Sequence, residues 1–81
     1  MEKVETGEII ELDNGKEYIC FSTLQDEGKE YIFLMSNFKP LEIRFARQYE
    51  QDGEILLEIV GDRATKERLL ALFKAKHNAQ N

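Results

Sequence analysis

Residues 41–60 read LEIRFARQYEQDGEILLEIV, and apolar residues alternate with polar ones on both sides of a central QDG. In the first half, Leu41, Ile43 and Phe45 recur at every second position, and a similar alternation returns after the glycine. A period of two is typical of β-strands that bury one face. The stretch therefore predicts two antiparallel strands joined by a short turn.

Three further strands precede this pair, because short runs rich in aromatic and β-branched residues are separated by turn sequences. The five predicted strands are 8–12, 17–24, 30–36, 41–49 and 54–60. The Asn14-Gly15 pair predicts a two-residue type I′ turn. The turns at 25–29 and 50–53 predict a type I turn that a glycine bulge closes.

A single helix follows the last strand. Gly61 ends the strand pattern, and Asp62 is a suitable N-cap for a helix that runs to about His77. Leu69 and Phe73 fall on one face of this helix. The sequence thus predicts an α+β fold: a five-stranded antiparallel β meander, coiled or partly barrel-like, with one C-terminal α-helix packed on it.

The second and third strands carry apolar residues on both faces. The predicted turns place Ile10 opposite Ile19, Ile19 opposite Met35, and Phe21 opposite Phe33. A sheet with one wet face alternates more cleanly than this. We therefore expect either that the sheet coils on itself or that something else covers its second face.

Length and composition limit the function classes. The 81 residues suit a single small domain over 1–81, with frayed termini at 1–7 and 78–81. The net charge is −5, made up of −8 in residues 1–60 and +3 in the remainder. One cysteine, no secretory signal and no apolar run of about 20 residues favour a cytoplasmic protein without a membrane segment.

No group of residues specifies a catalytic reaction, so the sequence predicts no enzyme and no cofactor. His77, the only histidine, falls at the cationic end of the predicted helix. Cys20 lies within a strand between apolar neighbours, where a buried unreactive thiol is expected. No phosphate-binding glycine loop, metal-spaced Cys/His set or nucleophile elbow occurs.

Two classes of partner remain open. Strands that expose apolar side chains favour a protein-interaction module, which would dock a protein partner or a second copy on a sheet face or an edge strand. Candidate residues for that surface are Phe38, Ile43, Phe45 and Tyr49. The alternative is a small nucleic-acid-binding β-domain that combines strand aromatics with cationic side chains. Its candidate contacts are Lys39, Arg44, Arg47, Lys66 and Lys74, although the acidic body opposes binding to phosphates.

The order of turns and strands resembles a known group. Gly-Lys-Glu-Tyr-Ile at 15–19 recurs at 28–32, and an Asp-Gly-Glu turn at 52–54 and a helix that ends near Leu72-Phe73 follow. In this order the chain resembles small acidic bacterial cytosolic proteins of unknown function, the YrzB-like group. The resemblance implies a bacterial, cytosolic setting and no known activity, and it assigns no functional residue.

Overall fold

The computed structural model describes residues 3–78, which form one antiparallel sheet and one helix. The strands follow one another in the sheet in the order β1-β2-β3-β4-β5, and the sheet curls into a half-barrel. This confirms the predicted α+β meander with a C-terminal helix. The elements are β1 (Ile9–Glu11), β2 (Glu17–Asp26), β3 (Lys29–Ser36), β4 (Ile43–Gln51), β5 (Glu54–Ile59) and α1 (Arg63–Asn78).

Apolar clusters lie on both faces of the sheet, as the two-sided pattern of strands 2 and 3 predicts. The cluster on the inner face of the half-barrel consists of Val4, Tyr18, Cys20, Ile32, Leu34 and Ala46. Leu12, beyond β1, and Leu57, in β5, both pack against this cluster although they lie at opposite ends of the sheet. The sheet therefore curls around its own side chains, and burial of the inner face comes mainly from this curvature.

The outer face of the sheet carries α1. Asp62 caps the helix, because its Oδ2 accepts hydrogen bonds from the backbone N–H of Thr65 at 2.8 Å and from the Thr65 hydroxyl at 2.7 Å. These two bonds hold the pKa of Asp62 below its usual value. Leu69 and Phe73 are buried against the sheet, where the Phe73 ring stacks on Phe45 with 5.9 Å between centroids.

The N-terminal segment is fixed to the inner face. Val4 is only 4% exposed, and its backbone N–H donates to Oε1 of Gln48 at 2.8 Å. The Gln48 Nε2 donates to the Val4 carbonyl oxygen at 3.0 Å. The predicted fraying of residues 1–7 therefore does not hold for Val4, because a buried side-chain amide pairs with its backbone. Met1 and Glu2 lie outside the described residues.

The chain end also differs from expectation. Asn78, predicted as the start of a frayed tail, is the last residue of α1. The other residues of that predicted tail, 79–81, lie outside the described residues. Within residues 3–78, α1 falls short of the length and apolar character that a membrane-crossing helix needs.

The β1–β2 turn is longer than predicted. Ile9, not Ile10, lies opposite Ile19, so the register is shifted by one residue. The backbone N–H of Gly15 donates to the Leu12 carbonyl oxygen at 2.9 Å, and Gly15 has a φ of 79°. Asn-Gly thus belongs to a three-residue loop in which glycine takes the left-handed position of a bulge.

The other two hairpin turns show the opposite deviation. Asp26 pairs with Lys29, so only Glu27 and Gly28 form the β2–β3 loop. Both have positive φ, at 53° and 77°, which is the signature of a type I′ turn. The β4–β5 loop repeats this geometry at residues 52–53, with φ values of 53° and 81°. Here the predicted glycine bulges are wrong, because the strands pair one residue closer to each turn.

A β-bulge in β2 restores the predicted register further along. Phe33 lies opposite Ser22 and not opposite Phe21, because Phe21 is the extra residue between two ladder positions. Beyond the bulge, Ile19 pairs with Met35 as predicted. The bulge therefore offsets the tighter turn only for the residues from Cys20 back to Tyr18, whereas Ser22 to Gln25 pair one residue away from their predicted partners.

Candidate functional site

Four apolar residues form a continuous row across the outer face of the sheet. Ile9 lies opposite Ile19, Ile19 opposite Met35, and Met35 opposite Ile43, so each neighbouring pair lies on adjacent strands. Ile9, Ile19 and Ile43 are 58%, 36% and 43% exposed, and Met35 is half-buried. We call these four residues the apolar row. Directly opposed side chains on one face of a sheet are close enough to form one continuous surface.

The apolar row is exposed because α1 covers the adjacent row of side chains. Phe33 and Phe45 lie two positions from Met35 and Ile43, and both rings contact Phe73. Near its C-terminal end the helix contacts Phe21, whose ring centroid lies 5.1 Å from that of His77.

His77 is half-buried in this contact, and the structure gives its buried Nε2 no hydrogen-bond partner. The ring therefore packs against the sheet at the end of the helix.

The side of the apolar row that faces away from α1 is acidic. Glu11 and Glu17 lie opposite each other. Each is two residues from Ile9 or Ile19 along its strand and therefore lies on the same face. The amide of Asn37 donates to Oε1 of Glu17 at 3.3 Å. Two carboxylates in directly opposed positions repel each other in the absence of a cation. This edge of the row therefore offers negative charge to whatever approaches it.

The structure separates the four residues predicted for a docking surface. Ile43 is part of the apolar row. Phe45 is 6% exposed beneath α1, so its assignment to the surface is wrong. Phe38 is half-buried edge-on against Tyr18, with 5.7 Å between ring centroids. Tyr49 is half-buried, and the Arg47 guanidinium lies 4.5 Å from its ring centroid.

Sequence reasoning did not assign Ile9, Ile19 and Met35 to the site. The predicted pairing of Ile19 with Met35 already placed two of them side by side. The unpredicted part is the length of the β1–β2 turn, because a three-residue loop brings Ile9 into the row in place of Ile10. The sequence also did not predict that α1 covers Phe45 and leaves Ile43 exposed.

The residues predicted to contact nucleic acid form no continuous basic surface. Arg44 Nη2 lies 3.1 Å from Oε1 of Glu42, and Arg47 Nη1 lies 3.8 Å from Oε1 of Glu58. The two arginines also lie on opposite faces of β4, as predicted. The other three are exposed at separate places, Lys39 between β3 and β4 and Lys66 and Lys74 on α1.

The polar groups of the inner face serve the fold. The hydroxyl of the fully buried Tyr18 donates to Oε1 of Glu42 at 3.0 Å. This bond, with the charges of Lys16 and Arg44, holds the pKa of Glu42 below its usual value. Burial raises the pKa of the Cys20 thiol, which disfavours the thiolate needed for reaction. Among residues 3–78 there is no group of three or more His, Cys, Asp or Glu side chains arranged for a metal ion.

The chain matches no family model, no curated protein and no solved structure. The resemblance to the YrzB-like group therefore stays a prediction.

Proposed function

We propose that this protein is a non-enzymatic, cytosolic interaction module that docks another protein on the apolar row. The observation that supports this is the alignment of four apolar side chains in register on four strands, three of them more than a third exposed. Contiguous exposed apolar surface is characteristic of protein interfaces, whereas single exposed apolar residues need no explanation. Phe21, 47% exposed, extends this surface toward the end of α1.

The charge at the margin of the row indicates the chemistry of the partner. Glu11 and Glu17 border the row, and the chain carries a net charge of −5. A second copy would bring further negative charge to this margin, whereas a partner with lysine or arginine around its apolar side chains would neutralise it. We therefore favour a different protein with a basic rim over self-association.

A capture experiment with a matched control variant tests this proposal. Tagged wild-type protein is compared with an Ile19→Thr/Ile43→Thr double variant and with Ile59→Thr in bacterial lysate, with and without nuclease. The exposed fraction of Ile59, 45%, is similar to the 43% of Ile43, but the Ile59 side chain lies on the opposite face of the sheet. Threonine retains β-branching, so the sheet should tolerate each change.

We expect the wild type to capture a protein partner whether or not nuclease is added. Ile59→Thr should capture the same amount of this partner, and the double variant should capture at least about tenfold less. A tenfold loss corresponds to about 1.4 kcal/mol, which is modest for two isoleucines that a bound partner would bury. Equal capture by the double variant would remove the apolar row as the docking site. Capture that nuclease abolishes would instead support nucleic-acid binding.

A further inference from the structure

The outer edge of β5 presents backbone groups with no strand beside them. The backbone N–H of Val60 donates to the Phe45 carbonyl oxygen at 2.8 Å, which fixes the alternation along β5. In an antiparallel ladder, alternate residues direct both backbone groups toward the partner strand. Ile55, Leu57 and Ile59 therefore direct theirs away from β4. Within residues 3–78, β5 pairs with β4 alone.

The side chains of the same three residues form the apolar wall of a groove. Their position in the ladder places them on the inner face, where they border a groove of about 440 Å³. The opposite wall consists of residues 11–14, which are the last residue of β1 and the three residues after it, at the other end of the sheet. A strand placed along β5 would find hydrogen-bonding groups at the edge and apolar side chains facing the half-barrel. It would also narrow the gap between the first and last strands.

The edge of β5 is protected only by charges on its outer face. Proteins commonly place charged side chains, a proline, a bulge or an inward-pointing charge at such an edge. β5 reads EILLEI, has a regular register with β4 and contains none of these at its inward positions. Its two charges, Glu54 and Glu58, lie on the outer face and are exposed.

The charges around the groove favour a basic occupant. Glu54 and Glu58 flank the edge on the outer face, where Glu58 also lies 3.8 Å from Nη1 of Arg47, and Asp13 lies on the opposite wall of the groove. Arg44 also lines the groove, but its guanidinium is paired with Glu42. A second β5 would add two more glutamates to the same face of the joined strands, which like-charge repulsion opposes. A strand with lysine or arginine opposite these glutamates would form ion pairs.

We propose that the β5 edge accepts an extended peptide as a sixth, antiparallel strand, in which apolar residues alternate with lysine or arginine. The apolar residues lie opposite Ile55, Leu57 and Ile59 and face the groove, and their backbone groups bond to the edge. The basic residues lie opposite Glu54 and Glu58 on the outer face. This site is separate from the apolar row, and strand addition of this kind derives its affinity from main-chain hydrogen bonds and its specificity from alternate side chains.

The test uses a short peptide of alternating valine and lysine, blocked at both ends, as the probe. In antiparallel pairing the valines carry the N–H groups that face β5, and the lysines carry those that face away. Methylation of the valine amide nitrogens should therefore weaken binding at least about tenfold, whereas methylation of the lysine amide nitrogens should leave it within about twofold. The affinity is measured by NMR titration of the intact protein.

Amide hydrogen exchange provides an independent measurement on the protein. Without peptide, the amides of Ile55, Leu57 and Ile59 should exchange faster than those of Leu56 and Glu58, and saturating peptide should slow them about tenfold or more. Equal binding of the two methylated peptides, or equal binding of a valine–glutamate peptide, would overturn the proposal. So would a free protein that is dimeric with these three amides already protected, since a second copy would then occupy the edge.

Two matched variants separate this site from the apolar row. Ile59→Lys places a cation at the mouth of the groove, and Ile43→Lys places one at a site of similar exposure on the other face. We expect Ile59→Lys to weaken peptide binding at least about tenfold and Ile43→Lys to leave it within about twofold. Similar losses in both variants would overturn the assignment to β5. Failure of the apolar row to capture a partner would leave this result unaffected.

Discussion

Gln48 holds the N-terminal segment through both ends of its side-chain amide. It accepts a hydrogen bond from the Val4 backbone N–H, donates one to the Val4 carbonyl oxygen and donates a second to a carboxylate oxygen of Glu30. The side chain thus pairs with a backbone as a neighbouring strand would. No pattern in residues 1–7 reveals this, because Val4 is a lone apolar residue among polar ones and its partner lies 44 positions away.

We expect Gln48→Ala to lower the free energy of unfolding by about 1–3 kcal/mol, because it leaves buried backbone groups of Val4 without partners. Urea unfolding followed by far-ultraviolet circular dichroism measures the change. Gln51→Ala, at the exposed end of the same strand, is the control and should change stability by less than about 0.5 kcal/mol. Equal losses in the two variants would contradict a specific role for the Val4–Gln48 pair.

At the scale of elements, the strands and the helix could be predicted because each rests on a local signal. Alternation specifies β4 and β5, and Asp62 marks the start of α1. Turn types were predicted less well, since Asn14-Gly15 suits both a two-residue loop and the three-residue loop observed. A change of one residue in a turn shifts every pair in its hairpin, so the register of β1 depended on a choice that the local sequence leaves open.

The candidate site could be predicted only in part for a related reason. Alternation places Ile43 and Phe45 on the same face of β4 but does not say which of them α1 will cover. That depends on where the chain leaves β5 and on the contacts of Leu69 and Phe73 with the sheet. These are long-range contacts, so a pattern with a period of two residues carries no information about them.

The type I′ turn between β2 and β3 predicts a stabilising substitution. Glu27 occupies the left-handed region at a φ of 53°, which costs most L-residues other than asparagine and aspartate about 1–2 kcal/mol. Glu27→Asn should raise the free energy of unfolding by up to about 1 kcal/mol, because asparagine favours this turn position. The substitution also removes the exposed ion pair in which Oε1 of Glu27 lies 3.8 Å from Nη1 of Arg68, but such a pair contributes little.

Asp52→Asn, in the equivalent position of the β4–β5 turn, is the matched control. Aspartate already tolerates this conformation, so the control should change stability by only a few tenths of a kcal/mol. Chemical denaturation of the wild type and both variants measures the difference. A destabilised Glu27→Asn would show that the ion pair outweighs the backbone preference.

At the scale of the whole molecule, the two clusters share one thin sheet, and among residues 3–78 the helix α1 alone covers the outer cluster. A chain of 81 residues has a total stability of roughly 4–12 kcal/mol. Phe73 is almost fully buried and contacts both Phe33 and Phe45. Phe73→Ala should cost about 3–5 kcal/mol, which is a large part of the total.

Cys20 supplies the measurement for this variant. Its thiol is buried on the opposite face from the helix, and its raised pKa disfavours the thiolate, so native protein should react slowly with a thiol reagent. Phe73→Ala should speed that reaction about tenfold or more by populating unfolded chains. Leu70→Ala, exposed on the same helix, should leave the rate near that of the wild type. Unchanged reactivity in Phe73→Ala would mean that the sheet stays closed without the outer cluster.

The bulge at Phe21 also bears on how the chain could vary in length. Between the β2–β3 turn and Ser22, every residue of β2 pairs in one constant register with β3. From Cys20 back toward the start of β2, the register is shifted by one residue, so Phe21 occupies no place in the ladder. A chain that lacked this residue would read as an uninterrupted strand with every other side chain on its present face. When relatives are aligned, a one-residue gap at position 21 is therefore compatible with the same sheet. A one-residue gap elsewhere in this strand, except at the neighbouring position 22, would move the residues between the gap and the bulge to the other face.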